Sequence, residues 1–473
     1  MSEAGGARGR AGEDGLSAAD RGLSPPATLK EQAENDDEAL APANDSRCGL
    51  GGSVFSGDEL ANRKPDLLGG GGRADRGLRG IDRRPHDRTR WNVRRRPGEE
   101  EWRASFIELF FDLVFVLVVT QLSSLLFKHL TLTGAAETLF LLLAAWWAWL
   151  YTTWATNWFD PDSGPVRAVL VLGMLASMFG AAAIPDAFGE RAMLLVVGYV
   201  GIQSVRNAFM VLATDRDDPL HTPFARIFAW NLWVGAIWFA GALAGHGTRT
   251  AIWIAALACD YAGPVLGHWT PWLGRSAPRD WELEPAHFVE RLMLFLIIAL
   301  GETIVAAGIT ASGLEPTAER LTALVVAFGV AVLLWWLYFD FHAEHLLRHL
   351  KAAAEERGRL ARDLGYLLLP LVAGIIVCAV ASRLVIAHPE QRLRGAALLT
   401  LGIGPALYLL GSIAFKMRTF RGLWRKRAAA LPFVAGATAL GSVLSSLVAW
   451  ALMLVILAGL ALAERRVIRG LRE

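Results

Sequence analysis

The chain has 473 residues, of which 53% are hydrophobic and only 19% charged, and its mean hydropathy reaches +0.36 although the first fifth is polar. A soluble core does not need that much apolar side chain, so the composition argues against an ordinary soluble globular protein. The formal net charge of +2 averages two unlike regions, and the three scattered cysteines, Cys48, Cys259 and Cys378, form neither a disulfide framework nor a cysteine-based zinc motif.

Residues 1–102 are rich in Gly, Ala, Arg, Asp, Glu and Ser without a sustained period of 3.6 or 2. Such a segment buries too little apolar surface to offset its ordering entropy and is expected to be a disordered, basic cytoplasmic tail. It shows no cleavable signal pattern. It closes on RRPHDRTRWNVRRRP, with Arg94, Arg95 and Arg96 just before the first apolar run, where cations are retained on the cytoplasmic side; binding of nucleic acid or anionic lipid is the other reading of this stretch, and for the protein as a whole no nucleic-acid partner is expected.

From there the apolar runs are 17 to 25 residues long, enough to cross roughly 30 Å of hydrocarbon. They are expected near 105–127, 136–157, 166–184, 190–213, 224–244, 250–267, 288–310, 319–341, 363–387, 395–415, 428–444 and 446–463. The fold class is therefore an all-α, polytopic transmembrane bundle of about twelve helices. Its first helical half would be 103–286, its second 287–463, and 464–473 a basic C-terminus. The stretch after Ala428 is nearly unbroken and reads as two short helices or one long one. Charge favours two: with the N-terminus inside, twelve crossings put Arg167, Arg216, Arg226, Arg275, Arg279, Arg348 to Arg362, Lys416 to Arg427 and the terminal Arg465, Arg466, Arg469 and Arg472 all on the cytoplasmic side. The expected location is the inner (plasma) membrane, with both termini cytoplasmic and the lipid bilayer as partner.

The two halves share a modest internal likeness. Phe106 and Glu108 correspond to Phe288 and Glu290, and Trp149 to Tyr151 correspond to Trp336 to Tyr338, at offsets of about 182 and 187 residues. Six helices per unit would give two repeats in the same orientation, an arrangement found in parallel-repeat transporters.

Ionisable groups inside such helices are costly, so they carry the functional signal. Glu108 and Asp112 are four residues apart, hence on one helical face, and Arg206, with Gln203 and Asn207, lies at a similar depth as the natural counter-ion. Asn157, Asp160 and Asp162, at the end of a Trp-rich run, are candidates to meet the same acids, although DPDSGP also reads as a helix cap and turn. Glu290 and Arg291 would stand at the cytoplasmic entry of the seventh helix, and Glu302, beside Thr303, about 18 Å deeper. Asp260 and Arg383 are further intrusions. The group reads either as a structural clamp or as a polar intramembrane path of Glu108, Asp112, Gln121, Gln203, Arg206, Asn207, Glu290, Arg291, Glu302 and Thr303. His342, His345 and His349 share one helix side in a spacing that suits a transition metal as well as a solvated helix end. No cofactor and no catalytic residue is expected, because no phosphate loop, nucleophile elbow or HExxH is present.

Four of these segments together resemble the bacterial low temperature requirement protein A family: ELFFDLVFVLVVTQLSSLL at Glu108 to Leu126, TTWATNWFDPD, YVGIQSVRN at Tyr199 to Asn207, and HFVERLMLFLIIALGETIVAAG at His287 to Gly308. The resemblance covers about 103 to 463. It implies an integral membrane protein of bacterial type, named for a cold-growth phenotype, and supplies no catalytic residue. The family's motif positions fall on Glu108, Asp112, Gln121, Arg206, Asn207, Glu290, Arg291, Gly301 and Glu302; Leu292 and Met293 depart from the Phe-Gly more usual there. The first helix is also faintly similar to the Phe-Ser-Asp helix of a potassium-channel family. The leading expectation is a permease for an unknown small solute or ion; the alternatives are a membrane-embedded enzyme near His342, His345, His349, Asp160 and Glu290, or a non-catalytic membrane scaffold.

Overall fold

The computed structural model describes residues 103–276, 284–339, 357–419 and 424–470. They belong to one compact unit. The expected tail and the histidines His342, His345 and His349 lie outside the described residues.

Among the described residues twelve α-helices follow one another: α1 Phe106–Lys128, α2 Leu132–Trp158, α3 Gly164–Ala183, α4 Ala192–Ala213, α5 His221–Leu243, α6 His246–Ala262, α7 Pro285–Ser312, α8 Ala318–Phe339, α9 Arg357–Ala387, α10 Gly395–Thr419, α11 Trp424–Leu440 and α12 Ser446–Gly470. Among the described residues β structure is limited to isolated bridge residues at Phe159, Thr214, Thr270 and Gly274. Local chemistry sets several ends. The backbone N–H and hydroxyl of Ser105 both donate to Glu108 Oε2, which anchors the first turn of α1. Thr131 Oγ1 accepts from Gly134 N at the start of α2. Prolines sit in the first turns of α3 and α7, where the missing N–H has no intrahelical partner to lose. Asp160 and Asp162 form the turn between α2 and α3: Asp162 N donates to Asp160 Oδ1, and Ser163 Oγ donates to the Asp160 carbonyl.

Among the described residues ten helices are long and apolar enough to cross a membrane by length and composition; α6 and α11, at 17 residues each, are shorter. Tertiary contacts nevertheless require both to cross. Residues of α1 meet residues of α7 at sequence separations of 179 to 183, from Glu108 with His287 to Thr120 with Glu302, so the two helices run parallel and in register. An even number of crossings must precede α7, and α6 is the sixth. At its other end the chain returns Arg427, the start of α11, to Glu464 of α12, whereas Ser446, the start of α12, bonds the carbonyls of His388 and Pro389 beyond α9. The two ends of α11 therefore lie on opposite sides, and a 17-residue helix spans about 25 Å. The apolar stretch after Ala428 is two helices, separated by a turn at 441–445.

The surface also fits a lipid solvent. On α3, Val171, Leu172, Leu175 and Met178 are each about half exposed, an outward stripe that an aqueous bundle would bury. Inside, helices approach through small residues. A Cβ on Gly198 of α4 would stand 2.4 Å from the Gly180 backbone nitrogen of α3, and one on Gly374 of α9 would stand 2.6 Å from the Tyr408 nitrogen of α10.

Candidate functional site

Glu108 and Asp112 on α1 have the same four-residue spacing as His287 and Arg291 on α7, and the parallel register brings the pairs face to face. Glu108 Oε1 lies 2.9 Å from His287 Nε2. Arg291 forks onto Asp112, with Nη1 donating to Oδ2 at 2.6 Å and Nη2 to Oδ1 at 2.8 Å, and Nη1 also donates to the Glu108 carbonyl. From α2, Trp149 Nε1 donates to Asp112 Oδ1 at 2.9 Å, and the Trp149 ring centre lies 5.8 Å from the guanidinium carbon. Glu108, Asp112 and His287 are wholly buried and Arg291 is 1% exposed.

The counter-ion of these acids is thus Arg291 and not Arg206. Sequence places a residue at a depth, but two residues at one depth meet only if their helices turn the right faces to each other. Arg291 also stands inside the bundle, not at an open entry. Glu290, beside it in sequence, does mark the edge, where its Oε2 accepts from Ala104 N.

Asn157, at the end of α2, orders the imidazole. Its Oδ1 accepts from Glu284 N and its Nδ2 donates to the Glu284 carbonyl, which fixes the amide; the same Nδ2 lies 3.2 Å from His287 Nδ1. Nδ1 is then an acceptor, and Nε2 carries the proton presented to Glu108. Asp160 and Asp162, expected at the same depth, are taken up by their turn. His287 and Trp149 had no assigned role in the sequence. The signal that finds them is the repeated i, i+4 spacing at an offset of 179, together with the WLY likeness.

Deeper along α1 and α7, Glu302 accepts from Thr120 Oγ1 and Ser123 Oγ, both at 2.5 Å. Among the described residues it makes no ion pair. Arg383 of α9 donates to the neighbouring Ser124 Oγ and lies 4.0 Å over the Phe127 ring. Thr303 bonds its own helix at Leu300, and Gln121 is half-buried. Asp260 of α6 accepts from Tyr199 and Trp238. The residues of the expected polar path therefore fall into several groups.

Arg206 belongs to a different neighbourhood. It donates to Asn207 Oδ1, to the Ala148 carbonyl and to Thr152 Oγ1, and lies 5.4 Å from the Tyr151 ring centre. Tyr151 and Asn207 in turn border a chamber of about 1360 Å³, walled by α2, α4, α5, the segment after α6 and the start of α9. Its lining is dominated by Trp154, Trp158, Trp230, Trp233, Trp269 and Trp272, with Arg275 and Arg362 also on it. The segment after α6 is shaped by backbone at positive φ, at Gly267, His268, Trp272 and Gly274, and is tied down where Arg226 donates to the Leu273 carbonyl and Ser276 N to the Gly267 carbonyl. Tyr151 OH and His268 Nε2 are 3.3 Å apart in the wall.

Burial holds the His268 imidazole down at about 3. Between that value and the ordinary one the unfolded chain binds a proton that the folded chain does not, so stability falls as pH falls through this window. Acidification from pH 7 to pH 5 is expected to cost roughly 2 kcal/mol through this one group. Thermal melts at both pH values check it, and His268→Gln is expected to remove that component.

A family model described as Bacterial low temperature requirement A protein (LtrA) matches residues 103–462. The chain belongs to the LtrA family. The match begins just before α1 and runs into α12, so the LtrA portion contains the α1–α7 cluster, Glu302, Arg206 and the chamber. An uncharacterized protein of Rhizobium meliloti (strain 1021) is 36% identical over 332 residues, 70% of this chain and 81% of that protein. No solved structure matches. What LtrA membership and the apolar helices together establish is an integral, multi-pass membrane protein.

Proposed function

We propose that this LtrA-family protein is a permease of the plasma membrane, and that its solute chamber is the aromatic cavity beside Tyr151 and Asn207. The single observation that carries the reading is a chamber of about 1360 Å³ reaching from one face of the bundle to buried polar groups. Its lining favours a largely apolar solute, oriented by a few polar atoms on the wall.

Charge supports the orientation. The start of α1, the end of α2 and the start of α7 meet through Glu108, Asn157, Glu284 and His287, and the ends of α10 and α12 meet the start of α11 through Lys416, Glu464 and Arg427. Because the Leu337 carbonyl at the end of α8 bonds Arg427, and α8 returns antiparallel to α7, both groups share one face. The connections on that face hold most of the arginines outside the tail, which favours the cytoplasm for that face and for both termini. The acids of the α1–α7 cluster do not border the chamber and serve as a clamp between the two halves.

The test is flux. Purified protein in liposomes is expected to release a panel of drug-sized apolar and amphiphilic solutes faster than empty liposomes. Ala229→Trp, which fills the chamber from α5, is expected to reduce that flux about tenfold or more with the melting temperature preserved. Flux equal to that of empty liposomes, or unchanged by Ala229→Trp, would overturn the reading, and the first of these would leave the scaffold alternative.

A further inference from the structure

Arg206 is 3% exposed, and among the described residues it forms no ion pair. Its Nε and Nη1 have the partners given above, all neutral: an amide oxygen, a backbone carbonyl and a threonine hydroxyl. Its Nη2 is buried without any hydrogen-bond partner. Asp260, the buried carboxyl on α6, attracts Arg206 only through space and accepts its hydrogen bonds from Tyr199 and Trp238, and Glu108 and Asp112 are held by α7. A guanidinium taken out of water without a counter-charge costs several kcal/mol, and a buried unsatisfied N–H adds to that.

On the other side of α2 from the chamber, Arg206 borders a second, small cavity of about 20 Å³ between α1, α2, α3 and α4. Its remaining lining includes Thr152, Thr156 and the rings of Phe111, Phe159 and Phe209. The volume admits one particle of about the size of a water molecule and nothing polyatomic. A water would satisfy Nη2 but bring no charge into contact with the guanidinium. A monatomic anion does both, and the positive edges of the aromatic rings suit it.

We infer that the cavity beside Arg206 is a binding site for one small monovalent anion of the halide class, which supplies a counter-charge in direct contact with the guanidinium between α2 and α4. The site is independent of transport through the chamber, since the two cavities lie on different sides of α2.

The experiment is a halide titration of thermal unfolding, followed by tryptophan fluorescence, with full-length protein in lipid nanodiscs at constant ionic strength. Gluconate, too large for the cavity, replaces chloride or bromide. The melting temperature is expected to rise saturably with chloride and with bromide, by about 2 °C or more, and not with gluconate. Arg206→Gln is expected to abolish the response. Gly173→Ala guards against a folding defect in that variant: the new methyl enters the cavity from α3 at 3.5 Å from Ile202 Cγ1 and 3.8 Å from Phe111 Cε2, ordinary contacts, and displaces the ion without touching Arg206. It too is expected to melt independently of halide. An equal response to gluconate, or a halide response retained by Arg206→Gln or by Gly173→Ala, overturns the site.

Discussion

Arg291→Gln is expected to destabilise the protein by about 3–5 kcal/mol, enough to lower its yield from the membrane sharply, because it leaves Asp112 buried without a counter-charge. The forked contact at 2.6 and 2.8 Å joins α1 to α7, and with them the two halves of the chain. Asp112→Asn is expected to cost less, since Glu108 Oε1, 3.7 Å from Arg291 Nε, still faces the guanidinium. The informative measurement is the double variant Asp112→Leu with Arg291→Met. If the pair is a clamp whose desolvation nearly cancels its attraction, the apolar pair recovers most of the stability that either single change loses. Glu302→Gln is the contrast: its partners are the hydroxyls of Thr120 and Ser123 and not a charge, so a loss of only about 1 kcal/mol is expected. Equal losses at Asp112 and Glu302 would show that the ion pair contributes nothing beyond its hydrogen bonds.

Gly374→Ala carries the second large effect. The added Cβ would lie 2.6 Å from Tyr408 N and 2.8 Å from the Gly404 carbonyl, both backbone atoms of α10 that cannot rotate away. α9 and α10 must separate along their contact, and the loss is expected to reach about 3 kcal/mol, beyond ordinary overpacking, because in lipid close packing is itself the main force joining helices. Gly308→Ala on α7 is the control. A Cβ there meets nothing within 4 Å, and alanine favours the helix, so its melting temperature is expected to hold or rise slightly. Comparable melting temperatures for the two variants would mean that the α9–α10 crossing tolerates widening.

The sequence by itself determined the class of molecule and the approximate number and placement of the helices, because each rests on local quantities. An apolar run long enough for the hydrocarbon must be helical to satisfy its own backbone. Arg-rich connections alternate with poorer ones, the connection holding Arg392 and Arg394 excepted, and this alternation favoured twelve crossings even where α6 and α11 fall short of the usual length. The split after Ala428 and the turn at Asp160 were legible for the same reason. Most of the buried charged residues were also visible as polar intrusions, His287 excepted, since their cost in lipid does not depend on what they touch.

Only the tertiary structure decided which of them touch. Glu108 and Asp112 accept two cations at equal depth on paper, and the choice of Arg291 over Arg206 follows from the rotation of α4 and α7 about their own axes. That rotation is set by packing across the whole bundle, including glycine crossings such as Gly198 on Gly180, and leaves little trace in any one helix of such uniform hydrophobicity. Once α7 presents His287 and Arg291 to α1, Arg206 is left facing α2, α3 and a small cavity, a position no spacing along the chain encodes. The chamber was invisible for a related reason: its wall is drawn from five segments, each of which reads separately as an ordinary aromatic helix end.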